Sequence, residues 1–380
     1  MLLKILKGLA IALAVLTLLL VLMVGYWFFR PNQAEVSDDL YGETWIAVDD
    51  GSHNSNTDMI YWNDAFHLIY ASSPFHFASE DSRLHILRSG DGHNWVQIAE
   101  FDAAGEDIRD PKFAPIGNRL FLYALKNTDF AAEPYQTVYA VSEDGGSWSP
   151  FQELEPKGWL FWRPKTADGS TWYAPAYWHG HGRAALLRST DGETWTIQSE
   201  IHEGDRSDEP AVEFLPDGRL LATVRLEMSD SLTGHPEGST LIATSKPPYE
   251  TWTPGTKSLV TRLDGPALFS YNDQLYAVGR YQPHVAGPFG WMGSIFSRKR
   301  TALYRVEEAG LVHLSNLPSA GDTSYAGLVR RGDNLYISYY TNDADKDYPW
   351  ILGMVSPSEI RMARINLPSL EALSEAVAGD

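Results

Sequence analysis

The sequence predicts an all-β chain, a six-bladed β-propeller, preceded by one transmembrane helix. Three observations predict it. The N-terminus carries an uncharged apolar run, six pairs of apolar alternating segments follow, and one seven-residue turn pattern recurs at intervals of about 50 residues.

The apolar run covers residues 8–29, from Gly8 to Phe29, without a charge. That is about the 20 apolar residues a helix needs to cross a hydrocarbon core. Lys4 and Lys7 precede it and Glu35 follows soon after Arg30. The positive-inside bias therefore places residues 1–7 in the cytoplasm and the remainder outside, in a periplasmic or extracellular space. The run is long for the apolar region of a cleaved signal peptide, and Asn-Gln-Ala-Glu-Val after Pro31 is a weak cleavage site. An uncleaved signal-anchor is the expectation, with a cleaved signal peptide as the alternative. Residues 30–43 read as a linker. The chain has no cysteine, hence neither a lipid-acylation site nor a disulfide. The roughly 340 residues after the helix are ample for a core that needs no such staple.

The formal net charge is −19. Such a surface repels phosphate backbones, which excludes nucleic acid as a partner. The 13 Trp and 19 Tyr suit a β-rich core and sugar-stacking surfaces equally well.

The repeated turns are Ser89-Gly-Asp91-Gly-His-Asn-Trp95, Ser142-Glu-Asp144-Gly-Gly-Ser-Trp148 and Ser189-Thr-Asp191-Gly-Glu-Thr-Trp195. In each, Asp caps backbone amides, Gly takes positive φ and Trp packs back under the turn. A decayed fourth copy is expected at Thr244–Trp252. Around these turns the first strands of the six units start near residues 58, 111, 164, 210, 266 and 325. Their second strands start near 66, 119, 171, 219, 274 and 334. The last unit supplies only three strands, so Thr44–Val48 is expected to pair as its fourth and close the ring. The propeller then occupies 44–367 and residues 368–380 form a short C-terminal helix or tail, with no second domain.

Polar residues at the starts of inner strands converge at one end of a propeller's channel. Those candidates are Asn56 and Asp58 in blade one, Arg109 and Asp110 in blade two, Arg163 in blade three, Glu209 in blade four and Tyr325 in blade six. The turn pattern resembles the Asp-box, or BNR repeat, of the sialidase (neuraminidase) superfamily. The order along the chain is similar as well: Glu209 opens a strand, Arg225 closes its neighbour, and Arg300 precedes Tyr325 by 25 residues. This resemblance covers residues 44–367.

The resemblance implies a retaining exo-glycosidase in which Tyr325 is the nucleophile, Glu209 its base and Asp81, beside Glu80, the acid/base. Sialidases are the tyrosine-nucleophile exception among retaining enzymes. Their substrate bears a carboxylate on the anomeric carbon, which a neutral phenol approaches without like-charge repulsion. A phenol with a pKa near 10 needs a base. Arg225 and Arg300 would grip the substrate carboxylate, with Asn56 standing where the family keeps its first arginine and Arg109 and Arg163 at neighbouring strand starts. The expected activity is hydrolysis of a terminal acidic sugar from a glycoconjugate by a membrane-anchored enzyme, without cofactor or metal. His179-Gly-His181 reads as a turn rather than a metal pair. Two alternatives stand beside this: a furanosidase-like glycosidase using Asp58, Asp110 and Glu209, and a non-catalytic propeller that binds a glycan or a partner.

Overall fold

The computed structural model describes residues 1–37 and 40–378. The apolar run forms a helix over Leu2–Phe29, long and apolar enough to span a membrane, with none of it buried against the rest of the chain. It starts ahead of the uncharged run because Leu2 to Lys7 are good helix formers.

The remainder is the expected six-bladed β-propeller, six antiparallel sheets of which four hold four strands each in consecutive order. Blade one, for example, runs His53–Trp62, Ala65–Ser73, Arg83–Ser89 and Val96–Phe101 from the channel outward. Blade three is irregular: its inner edge is two short strands, Trp159–Phe161 and Lys165–Thr166, with Arg163 in the break between them. In blade six, Thr323–Arg331, Asn334–Thr341 and Glu359–Asn366 are completed by the N-terminal strand Tyr41–Val48, where Thr44 pairs with Ala363. Tyr41–Gly42–Glu43, read as the end of a linker, already belong to this strand.

The stretch before it is also tied down. Pro31 bridges Lys346, the Asn32 amide donates to Asp345 O at 2.9 Å, and its side chain donates to Ser319 O and Ala344 O at 2.9 and 2.7 Å. Further on, Asn316 N donates to Glu35 O and Ser37 N to Ser315 Oγ. The expected free linker is thus a strap, because its polar groups match carbonyls at the ends of blades five and six. At the other terminus Leu367–Ala378 is a helix whose Leu367 and Leu370 join the core beside Leu40. Gly379 and Asp380 of the expected tail lie outside the described residues.

The three repeated turns share one hydrogen-bond pattern. Asp191 Oδ1 accepts from Glu193 N at 2.9 Å and Thr194 N at 2.7 Å, while Ser189 Oγ accepts from Gly192 N at 2.9 Å. Asp91 and Asp144 do the same. The tip of each turn packs on the preceding blade. At Gly192 (φ +81°) a Cβ would lie 2.8 Å from Ile116 and Phe121 of blade two, and Tyr123 of that blade donates its hydroxyl to Gly192 O at 2.7 Å. Only glycine fits both the conformation and the space. The pattern has a further copy at Thr166–Thr171, where Asp168 Oδ1 accepts from Ser170 N and Thr171 N. Thr244–Trp252, expected as the decayed copy, is built differently. There Ser245 Oγ donates to Thr251 O, and Trp252 Nε1 reaches Ser199 of blade three.

Candidate active site

One backbone device recurs at the channel mouth. In blades one, two, four and six the pairing of first and second strands slips at the third residue or so, between Ser55/Asp58, Arg109/Lys112, Asp208/Ala211 and Ser324/Gly327. At each slip the backbone turns left-handed, at Asn56 (φ 49°), Asp110 (φ 50°), Glu209 (φ 37°) and Tyr325 (φ 49°), the last preceded by Ser324 at φ 115°. A bulge of this kind bends the strand and re-aims one side chain. Asn and Asp tolerate the conformation, whereas for Glu and Tyr it costs on the order of 1–2 kcal/mol, which the surrounding packing must offset.

Two of these residues, 116 positions apart, meet: the Tyr325 hydroxyl donates to Glu209 Oε1 at 2.5 Å. The other carboxylate oxygen accepts from Gly265 N at 2.6 Å, and Arg225 Nη1 lies 3.0 Å from Oε1. Glu209 is buried and Tyr325 half-buried. Burial pushes the Glu209 carboxyl up to about 7, with Asp208 and Asp264 adding to the rise and Arg225 opposing it. Burial also holds the Tyr325 phenol well above its usual value, and the Glu209 charge adds to that, while Arg225 and Arg280 pull it down. The other two bulge residues also pair, Asn56 Nδ2 donating to Asp110 Oδ1 at 2.5 Å.

Arg225 is enclosed by carboxylates. It donates through Nε to Asp208 Oδ1 at 2.5 Å and bonds Asp208 Oδ2 as well, and Glu227 and Asp264 each lie 3.5 Å away. Behind it, His181 is buried, with Nδ1 3.1 Å from Asp208 and Nε2 2.9 Å from Glu133. Burial alone would lower its pKa, but the Asp208 and Glu133 charges raise it to about 10, so the ring is an imidazolium. The Trp178–His181 segment is a turn, as expected, yet its second histidine is folded inward to neutralise this acidic cluster.

Other candidates are held elsewhere. Arg300 opens the third strand of blade five, buried and bonded to Asp347. The arginine that reaches the pair from blade five is Arg280, at the end of the second strand as Arg225 is in blade four. Its guanidinium lies 5.3 Å from the Tyr325 ring centroid and donates to Thr323 O at 2.9 Å and Asp322 Oδ1 at 3.0 Å. The matching ends Val-Arg225 and Val-Gly-Arg280 were the available signal for it. Asp58 is buried with both oxygens taken, by Arg163 Nη2 at 2.6 Å and Phe113 N at 2.7 Å. Arg163 also donates to Ala326 O at 3.1 Å, so this pair braces four blades, one, two, three and six, at the channel. Arg109 forks onto Asp107 within its own strand.

Asp81 is exposed in the loop 74–82 of blade one, and among the described residues its side chain bonds neither Tyr325 nor Glu209. The loop itself lies at the mouth: Ser79 N donates to Asp107 at 3.0 Å, and Arg109 Nη1 donates to His76 O at 3.3 Å. Lys112, absent from the sequence reading, is buried with its ammonium 4.7 Å over the Trp162 ring, and burial lowers it to about 8. Two groups bring metal-type ligand atoms within 4.8 Å of one another, His53–His76–Asp322 and Glu133–His181–Glu227. In the second, both ring nitrogens of His181 already face carboxylates.

No known family profile matches the chain, and no curated protein matches it in sequence. Solved structures do match in fold. The phage phi92 endosialidase superposes with a TM-score of 0.63 at 11% identity, covering 86% of this chain and 69% of its own. A Trypanosoma rangeli sialidase in complex with sialic acid gives 0.62 at 14% identity, covering 92% of this chain. A Hadza microbial sialidase gives 0.56 at 15% identity, with 83% of this chain and 66% of its own covered. The chain spans 61% of the length of the trypanosomal protein. The fold is therefore a sialidase-like β-propeller.

Proposed function

We propose that this protein is a membrane-anchored, extracytoplasmic glycoside hydrolase that removes a terminal acidic sugar with retention of configuration. The observation that carries the reading is the 2.5 Å hydrogen bond from the Tyr325 phenol to Glu209 at the channel mouth. Nothing in ordinary packing calls for a carboxylate and a phenol on strained backbone in two remote blades, and the pair has the reach a nucleophile and its base require. Glu209 takes the phenolic proton as the Tyr325 oxygen bonds the anomeric carbon, and Asp81 protonates the departing glycosidic oxygen. In the second half, Asp81 takes a proton from water as water displaces Tyr325, and Glu209 returns the proton to the phenolate. Arg225, with Nη1 3.0 Å from Glu209, and Arg280, 5.3 Å from the Tyr325 ring, supply the positive charge that a substrate carboxylate meets beside the pair.

The furanosidase-like alternative needs Asp58 free, and both of its oxygens are occupied. The test is hydrolysis of an aryl α-sialoside by full-length protein. Tyr325→Phe and Glu209→Gln should each lower kcat by on the order of 10³-fold or more. Undiminished turnover by Tyr325→Phe would sink the reading, and binding of sialosides without any turnover would select the non-catalytic alternative.

A further inference from the structure

The connections from second to third strands all leave the ring at the end where Glu209 and Tyr325 open, and they are fastened to one another. Between blades four and five, His235 bridges Met292 and Ile295 N donates to Leu232 O at 3.0 Å. Between five and six, Trp350 N donates to Ser297 O at 2.9 Å and Ile351 N to Ile295 O at 2.8 Å. His76 N donates to Met354 O at 2.8 Å, linking blades one and six, and Phe130 N donates to Ala78 O at 3.0 Å, linking one and two. The loops form a collar around the mouth.

The outer side of this collar carries exposed apolar side chains. Phe130 is 72% exposed, Phe289 67%, Leu232 66% and Val355 60%, each on a different blade's loop. The opposite end of the ring has a different character. Its first-to-second connections are short polar turns such as Asn63-Asp64, Gly117-Asn118 and Asn272-Asp273. Single exposed apolar residues are ordinary, and Val96 and Ile197 are such cases on outer strands, but four of them on the joined loops of one face mark a contact surface.

The anchor joins the ring on that same face. Arg30 follows the helix directly and lies 3.6 Å from Asp347, which also holds Arg298 and Arg300. Pro31 and Asn32 are bonded to Lys346, Asp345 and Ala344, all in the collar loop of blade six. There is no slack between the membrane exit and the collar, so the bilayer surface begins beside it.

We propose that the collar is the membrane-facing side of the propeller. It rests on the outer leaflet of the bilayer spanned by Leu2–Phe29, with its exposed Phe, Leu and Val side chains in the headgroup–acyl boundary. The site then takes its sugar from glycoconjugates anchored in that leaflet. The last clause rests on the glycosidase reading; the docking does not. A net charge of −19 rules out attraction to anionic lipid as the cause, which leaves apolar insertion into a zwitterionic surface, made effective by the covalent tether.

The absence of cysteine makes the test direct. Full-length protein carrying Phe130→Cys, Phe289→Cys or, at the far end, Asn118→Cys is labelled with a polarity-sensitive fluorophore and reconstituted in phosphatidylcholine nanodiscs. The first two labels should shift to the blue and be quenched by nitroxide-bearing lipid, and the third should do neither. Labels at Phe130 and Phe289 as wet and unquenched as the one at Asn118 would overturn the docking, as would a mature chain beginning beyond Arg30. A sialic-acid-terminated glycolipid in the same disc should be cleaved at least tenfold faster than a soluble aryl sialoside at equal bulk concentration. Equal rates overturn the substrate clause alone. Turnover of neither overturns the glycosidase reading and that clause with it, while the fluorescence result stands.

Discussion

In the proposed mechanism Glu209 works as a base only when ionised, and its carboxyl is pushed up to about 7 by burial, with Asp208 and Asp264 adding to the rise. Below that pH it holds a proton and cannot accept one from Tyr325. The kcat/KM of the wild type should therefore fall about tenfold per pH unit below roughly 7, and a flat profile down to pH 5 would contradict the assignment. Asn56 offers a second residue-scale test. A guanidinium there would add charge-assisted bonds to a substrate carboxylate worth about 2 kcal/mol, less about 1 kcal/mol for the competing hold of Asp110, which Asn56 bonds now. Asn56→Arg should thus lower the KM for an aryl sialoside about fivefold, read from initial-rate kinetics. Tyr325 and Glu209 were legible because each opens a strand in a recognisable order. Arg280 was not, because the long connection from Tyr281 to Arg300 pushes the next arginine onto a different strand, and linear spacing to Tyr325 then selects the wrong one. His181 was hidden for a related reason: the carboxylates that draw it inward come from three other segments, at Glu133, Asp208 and Glu227.

The repeated turns act between blades as much as within them. Gly192 seats on Ile116 and Phe121, and Gly145 sits against Trp62 and His67, so each turn latches onto the blade before it. Asp191→Ala removes the acceptor for two backbone amides and loosens one such latch. It should lower Tm by a few degrees with kcat and KM on the aryl sialoside unchanged, since the latch lies at the end remote from Glu209. This level of organisation was the most readable from sequence, because Ser-x-Asp-x-x-x-Trp is local and periodic. The strap over residues 31–37 was not readable: its bonds run from single side chains to carbonyls nearly 300 positions away and leave no period to detect.

At the scale of the whole molecule the ring depends on one junction, Tyr41–Val48 against Glu359–Asn366. Thr44→Pro places a proline in the middle of it, opposite Ala363, and should lower Tm more than Asp191→Ala does, with faster proteolysis at both termini. That junction also sets an order of events during biosynthesis. The N-terminal strand leaves the ribosome first and its partner about three hundred residues later, so blade six stays an open edge until translation ends. On the proposed anchoring, its neighbouring helix meets the lipid long before that. The nascent chain is thus moored at one end while its toroid is still a row of unclosed blades, and the last act of folding is to bring the far end back to the mooring. Variants that slow this return should betray themselves as aggregates at the membrane rather than as altered enzymes.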